Sequence, residues 1–159
     1  MTALAVCAAA LLAAPATVSA QDVNAELAAL RSATASFHSL KSAKAAGWDE
    51  DITGCLSSSQ GGMGHHYVNW GELFDGGTLD PLRPEVLVYA PDATGAKRLV
   101  AVEYLILGSD LPSTATPPEM YGQEFHFNST FGVWALHAWV WKHNPNGIFA
   151  DWNPKVSCT

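Results

Sequence analysis

The chain of 159 residues is 48% hydrophobic and 14% charged, with 8 Lys and Arg against 15 Asp and Glu and a formal net charge of -7. This length fits one domain. The few cations are scattered, and only Lys97 and Arg98 are adjacent, so they cannot form the basic surface that neutralises phosphates. The composition therefore excludes nucleic acid as a partner and disfavours anionic membrane surfaces.

The N-terminal segment predicts an export signal. Residues 4–14 form an apolar stretch as long as a signal h-region, and this is shorter than the roughly 20 residues of a membrane span. Residues 18–20, Val-Ser-Ala, match the small-x-small cleavage pattern. We expect a signal peptide at residues 1–20, no membrane span, and a single domain at residues 21–159 of a secreted or periplasmic protein.

The cysteine count predicts one disulfide. Cys7 lies in the signal segment, which leaves Cys55 and Cys158 as an even pair in an exported chain. A bond between them closes a loop of about 100 residues, for which chain entropy gives roughly 4 to 5 kcal/mol of stabilisation. It also holds the tail close to its end, where a free chain would fray.

Hydrophobic periodicity predicts an α+β fold. Residues 22–46 carry a helical pattern that ends at Gly47, and residues 49–64 read as a polar loop. Strand patterns follow the loop, with an antiparallel hairpin around the turn at residues 91–95 and an irregular, proline-containing connection at residues 109–118. The predicted strands are residues 65–70, 84–90, 97–107, 124–128 and 132–142. One long N-terminal helix should therefore pack against an antiparallel, curved or barrel-like sheet.

Two polar residues interrupt strands that are apolar on both faces. Glu103 lies within residues 99–107, and His137 is the polar interruption of residues 133–141. A buried carboxylate must be neutralised, paired with a cation or bound to a metal, because an unpaired charge in the interior costs several kcal/mol or more. These two residues are therefore the first candidates for a functional site.

Further histidines extend this candidate site. His65 and His66 are adjacent, so in a strand only one of them points to the interior. We favour His66, because the preceding glycines leave room beside it for a ligand or another backbone. His126, between two phenylalanines in a strand pattern, is a fourth candidate.

Three interpretations of these residues compete. In the first, His66, Glu103 and His137, with His126 as a further ligand, hold one divalent transition metal such as Cu, Zn or Fe, with open positions for redox or hydrolytic chemistry. In the second, Glu103 and His137 form a buried hydrogen-bonded pair with a structural role. In the third, they are the acid and base of metal-free catalysis, with the Glu pKa raised by burial. No local metal motif is present, so the first interpretation depends on convergence in three dimensions.

The aromatic content favours an alternative function as a secreted binding module. The chain has 6 Trp, and exposed tryptophans stack on sugar rings in such modules. Most of them lie in core-patterned runs, and Trp70 and Trp152 are the least certain to be core. The ligand would be a glycan or a small hydrophobic molecule. The predicted pocket residues are Tyr67, Tyr104, Trp139 and Trp141.

Four segments together resemble a family of small exported bacterial proteins of uncharacterised function. They are Gly-Met-Gly-His-His-Tyr-Val-Asn at residues 62–69, Leu-Val-Ala-Val-Glu-Tyr at 99–104, His-Ala-Trp-Val-Trp-Lys-His-Asn-Pro-Asn-Gly at 137–147 and Trp-Asn-Pro-Lys-Val-Ser-Cys at 152–158. The resemblance spans most of the chain after the signal. It implies no activity, and it places His66, Glu103, His137 and the two later cysteines at motif positions.

Overall fold

A computed structural model describes residues 20–158 of the chain. The predicted signal peptide at residues 1–20 lies outside the described residues, except for Ala20, which begins the first helix. No helix in the described part of the chain is long and apolar enough to cross a membrane.

The N-terminal helical segment is divided into three pieces. Helix α1 is Ala20–Thr34, a 3-10 helix follows at Ala35–His38, and helix α2 is Leu40–Ala45. The sequence predicts one continuous helix, but Ser39 is extended and its hydroxyl accepts a hydrogen bond from the amide of Ser42. A serine that caps a new helix competes with continuation of the old one.

Six antiparallel strands form a curled half-barrel sheet against this segment, which confirms the predicted α+β fold. The sheet order is β1-β2-β3-β4-β8-β7, and β5 and β6 form a separate two-stranded ribbon. A short helix α3, Trp70–Leu73, follows β2. The strands are β1 Trp48–Ser58, β2 Gly61–Asn69, β3 Val86–Pro91, β4 Lys97–Leu107, β5 Glu119–Met120, β6 Gln123–Glu124, β7 His126–Asn128 and β8 Val133–Ala138.

The polar loop predicted at residues 49–64 is wrong, because this segment is β1 and the first part of β2. The two strands pair as an antiparallel hairpin. β1 is at the edge of the sheet, and most of its side chains are exposed or half-buried. Its register is also irregular between Asp51 and Cys55. An exposed edge strand has no need for apolar alternation, which is why its sequence resembles a loop.

The last predicted strand is also too long, because β8 ends at Ala138. The amide of Trp139 donates to the carbonyl of Ile148, and the amides of Trp141 and Lys142 both donate to the carbonyl of Val100. The regular pairing of β8 with β4 therefore ends four residues earlier than the aromatic pattern predicts, although residues 141 and 142 still donate hydrogen bonds to β4.

The sheet separates two hydrophobic clusters. On the helix face, side chains such as Tyr67, Leu87 and Tyr104 pack with Leu27 and Leu30 of α1. On the opposite face, shorter side chains dominate, and the C-terminal tail contributes Val156 and Ile148 to the cluster. The members of this opposite face used below are Val86, Val88, Leu105, Ala135 and Trp139.

The tail is fixed to the edge of the sheet. Asn153 pairs with Gly62 of β2 through two backbone hydrogen bonds. Cys158 is bonded to Cys55 of β1, with a sequence separation of 103, so the predicted disulfide is confirmed. The tail is thereby held in place on the sheet.

Candidate functional site

The register of the sheet brings three predicted residues to the opposite face. Glu103 of β4 lies between Val86 of β3 and His137 of β8. His66 of β2 pairs with Val88. Residues paired across antiparallel strands share a face, so these three side chains point to the same side of the sheet. We refer to His66, Glu103 and His137 as the His-Glu-His cluster.

His66 is held by one nitrogen and directed to the cluster by the other. Its side chain is buried, and Nδ1 lies 3.0 Å from the hydroxyl of Thr53. Nε2 lies 3.7 Å from Oε2 of Glu103. Burial lowers the pKa of His66 to about 4, so the imidazole is neutral at pH 7. His65 points to the other face, where its Nδ1 lies 2.7 Å from Asp51.

His137 is buried without a hydrogen-bond partner. Its exposed fraction is 1%, and neither ring nitrogen bonds to any of the residues described. Its ring centroid lies 6.3 Å from that of His66 and 4.7 Å from that of Trp139. Burial lowers the pKa of His137, and competition with the neighbouring His66 and then His126 for a proton lowers it further. Buried polar groups in native proteins nearly always have partners, so this imidazole is the strongest anomaly in the site.

The side chain of Glu103 is slightly exposed, and its pKa is raised. Its side chain is 13% exposed. Burial, and then the negative charge of Asp151, raises the pKa of Glu103 to about 8, so the carboxyl holds its proton at neutral pH. Glu103 and His137 are register partners, but neither ring nitrogen of His137 has a hydrogen-bond partner within residues 20–158. The hydrogen-bonded structural pair expected in the second interpretation is therefore not formed.

His126 contacts a carboxylate that is not part of the His-Glu-His cluster. It pairs with Ala135 across β7 and β8, and its side chain is half exposed. Its Nε2 lies 3.8 Å from Oδ2 of Asp151. The two residues act on the cluster through charge, since His126 contributes to the lowered pKa of His137 and Asp151 to the raised pKa of Glu103.

The cluster is not preassembled as a metal site. Within residues 20–158, no group of three or more His, Cys, Asp and Glu side chains is arranged to hold an ion. The 3.7 Å between His66 and Glu103 is too long for a hydrogen bond. It is a few tenths of an ångström more than the roughly 3.3 Å that separates two donors bound to one tetrahedral zinc. Two donors are thus close to ligand spacing, and the third is not in place.

The aromatic pocket predicted from Tyr67, Tyr104, Trp139 and Trp141 is not formed. Tyr67 and Tyr104 belong to the core of the helix face, and Trp139 belongs to the opposite face. Trp141 packs toward α1, where its indole nitrogen donates to Thr34. The reason is the pleat of a strand, in which neighbouring side chains alternate. Tyr67 and Tyr104 directly follow His66 and Glu103, so they point away from the cluster.

A second buried carboxyl, Glu85, was not predicted. Its exposed fraction is 1%, and its Oε2 accepts a hydrogen bond of 3.0 Å from the amide of Leu105. Burial raises the pKa of Glu85 to about 8. The available signal is a charged residue between Pro84 and an apolar strand. A charged residue at the end of a strand is usually exposed, so the sequence pattern does not identify Glu85 as buried.

No family model, curated protein or solved structure matches the chain. The resemblance to small exported bacterial proteins therefore stays a prediction, and function has to be argued from the site itself.

Proposed function

We propose that the protein binds one divalent transition-metal ion through His66, Glu103 and His137. The observation that carries this proposal is the unpaired imidazole of His137. An unsatisfied buried polar group costs about 1 to 3 kcal/mol. A metal ion near the cluster gives that nitrogen a partner and accounts for its position beside a carboxyl and a second histidine.

The environment of His66 supports the same proposal. Metal-binding imidazoles usually present one nitrogen to the metal while a hydrogen bond to the other fixes the ring. His66 has this arrangement, with Thr53 at Nδ1 and Nε2 directed to Glu103. Burial keeps both cluster imidazoles neutral, which leaves a nitrogen lone pair free for a metal. Glu103 has to lose its proton, so binding should release protons below about pH 8.

The donor set limits the choice of ion. Two imidazoles and one carboxylate suit Zn(II), Fe(II) or Cu(II). Cys55 and Cys158 are joined in a disulfide, so they offer no thiolate. In this proposal the ring of His137 turns toward Glu103 when the ion binds, which completes the three donors. A three-donor set leaves a coordination position for water or substrate, which is the requirement for hydrolytic or redox chemistry.

Titration with Co(II) tests this proposal. Protein with its disulfide intact is dialysed against EDTA and then against metal-free buffer, and the visible absorption of Co(II) is followed during titration. We expect saturation at one ion per chain, and loss of the signal in His137→Leu and Glu103→Gln. The matched control His126→Gln removes a histidine outside the cluster and should titrate like the unaltered chain. Absence of saturation, or an unchanged titration of His137→Leu, contradicts the proposal.

A second candidate function is carbohydrate binding, which one surface feature favours. The rings of Trp70 and Phe74 are stacked with centroids 5.2 Å apart, and both side chains are exposed. The indole nitrogen of Trp70 donates to Glu50, which fixes the ring. Exposed aromatic faces suit the C–H faces of sugars. A thermal shift with soluble oligosaccharides in EDTA that is lost in Trp70→Ala supports this function, and no shift contradicts it.

A further inference from the structure

A surface groove lies between α1 and the chain that follows β8. Its volume is about 380 Å³, within the size range of small-molecule sites. Trp139, Trp141 and Ile148 provide apolar surface. The indole nitrogens of the two tryptophans donate to Ala150 and Thr34, so both rings are held in fixed positions. The groove therefore has a rigid aromatic lining.

The charged lining of this groove is cationic. Arg31 and Lys142 line it, with His143 and Asn144 as its other polar residues, and no carboxylate does. The ammonium of Lys155 lies 3.4 Å from Nδ1 of His143, which brings another cation to the same region. A cluster of positive charge is unexpected in a chain with a formal net charge of -7.

The two cations of the groove form no ion pair within residues 20–158, which is also true of Lys41, Lys44 and Lys155. Arg83, Lys97 and Arg98 each have a carboxylate partner. The charge of Arg31 and Lys142 is available to an anion from outside the protein.

Arg31 is positioned to bind such an anion. Its Nε donates to the carbonyl of Val140 at 2.8 Å, which fixes the guanidinium beside the groove. No described residue accepts a hydrogen bond from its two terminal nitrogens. A guanidinium with free terminal nitrogens suits a carboxylate, which it can bind with two parallel hydrogen bonds.

We infer that this groove binds a small organic carboxylate, with the carboxylate on Arg31 and Lys142 and the apolar body on Trp139 and Trp141. Charge complementarity selects the anion, and the aromatic lining selects an apolar body over a simple inorganic ion. The site does not depend on the proposed metal, since none of its residues belongs to the His-Glu-His cluster.

Calorimetric titration with 1-naphthoate tests the inference. The titration is run in EDTA, and 1-naphthalenemethanol, which has the same ring system without the charge, is the reference ligand. We expect 1-naphthoate to bind about tenfold or more tightly than the alcohol, as a charged hydrogen bond requires. Equal affinity of the two, or no binding of 1-naphthoate, overturns the inference.

Matched variants locate the site. Lys142→Gln should weaken 1-naphthoate binding by about tenfold. Lys41→Gln, which makes the same charge change on the exposed surface of α2, should not weaken it. Arg31→Gln should weaken binding further, and Lys142→Gln remains informative if loss of the Arg31 hydrogen bond prevents folding. An equal loss in Lys41→Gln and Lys142→Gln overturns the inference. The titration is run in EDTA, so its outcome is independent of that of the metal test.

Discussion

Replacement of His137 with leucine should stabilise the metal-free protein and abolish its stabilisation by metal. Both ring nitrogens of His137 are buried and unpaired. Leucine is apolar and close to histidine in volume, so it removes the unpaired groups and leaves no large cavity. The two expected effects have opposite signs, which makes this substitution more informative than a simple loss of function.

The size of the effect follows from the contacts of the ring. Removal of the unsatisfied groups gains about 1 to 3 kcal/mol. Loss of the ring contact with Trp139, at 4.7 Å, costs about 0.5 to 1.5 kcal/mol. The net expectation for the metal-free protein is a gain of about 1 kcal/mol, which corresponds to a midpoint roughly 3 to 5 °C higher for a domain of this size.

With metal present, the unaltered chain should be more stable than His137→Leu. At a metal concentration 100 times the dissociation constant, a protein that binds one ion gains about 2.7 kcal/mol. The unaltered chain should show this gain and His137→Leu should not. Urea unfolding followed by tryptophan fluorescence, with the disulfide intact, measures both proteins in EDTA and in Zn(II). His126→Gln is the control, and its response to Zn(II) should equal that of the unaltered chain.

Two results refute this reasoning. A loss above about 2 kcal/mol for His137→Leu in EDTA means that the imidazole makes favourable hydrogen bonds in the metal-free protein. An equal gain from Zn(II) in both proteins means that the ion binds elsewhere.

Three other predictions concern stability. The folded chain protonates Glu85 up to about pH 8 while an unfolded glutamate ionises near 4.5, so unfolding releases a proton between these values and the contribution of Glu85 to the stability of the metal-free protein falls as pH rises. Urea unfolding measures the free energy of unfolding at pH 5 and at pH 8. Its decrease between the two pH values should be smaller in Glu85→Gln by up to about 4 kcal/mol, and an equal decrease in both proteins contradicts the assignment. Reduction of Cys55–Cys158 should lower the free energy of unfolding by about 2 to 5 kcal/mol, measured with and without dithiothreitol, and no change means that the loop closure contributes nothing. Gly64→Ala should cost about 3 kcal/mol or more by thermal unfolding, because its φ is +112° and a Cβ would lie 2.5 Å from a backbone oxygen of β3. Gly95→Ala, at φ +81° in open space, should cost only about 1 to 2 kcal/mol, and equal costs contradict the packing argument.

The sequence predicts the centre of the sheet better than its margins. The hairpin of β3 and β4 is apparent from two apolar runs around a turn, and β4 has the predicted bounds. β1 was missed because an exposed edge strand lacks the alternation that a half-buried strand requires. The end of β8 differs from the prediction because aromatic residues continue past Ala138 while the regular strand pairing with β4 stops there.

The candidate site shows the same limit. Glu103 and His137 stand out because they interrupt apolar strands in a chain with few charges. Their common face follows from register, which the sequence does not contain, and so does the placement of His66 beside Glu103. The position of Thr53 at the His66 ring depends on an edge strand whose sequence has the polar pattern of a loop. Ring orientation and partners are properties of the packed structure, so sequence periodicity cannot supply them.

The number of metal ions bound per chain tests the central claim most directly. Protein stripped with EDTA is equilibrated with a small excess of Zn(II), separated from free metal by gel filtration and measured by elemental analysis. The account predicts one zinc per chain, and none in His137→Leu. A chain that carries no stoichiometric zinc under these conditions, or a His137→Leu variant that carries as much zinc as the unaltered chain, contradicts it.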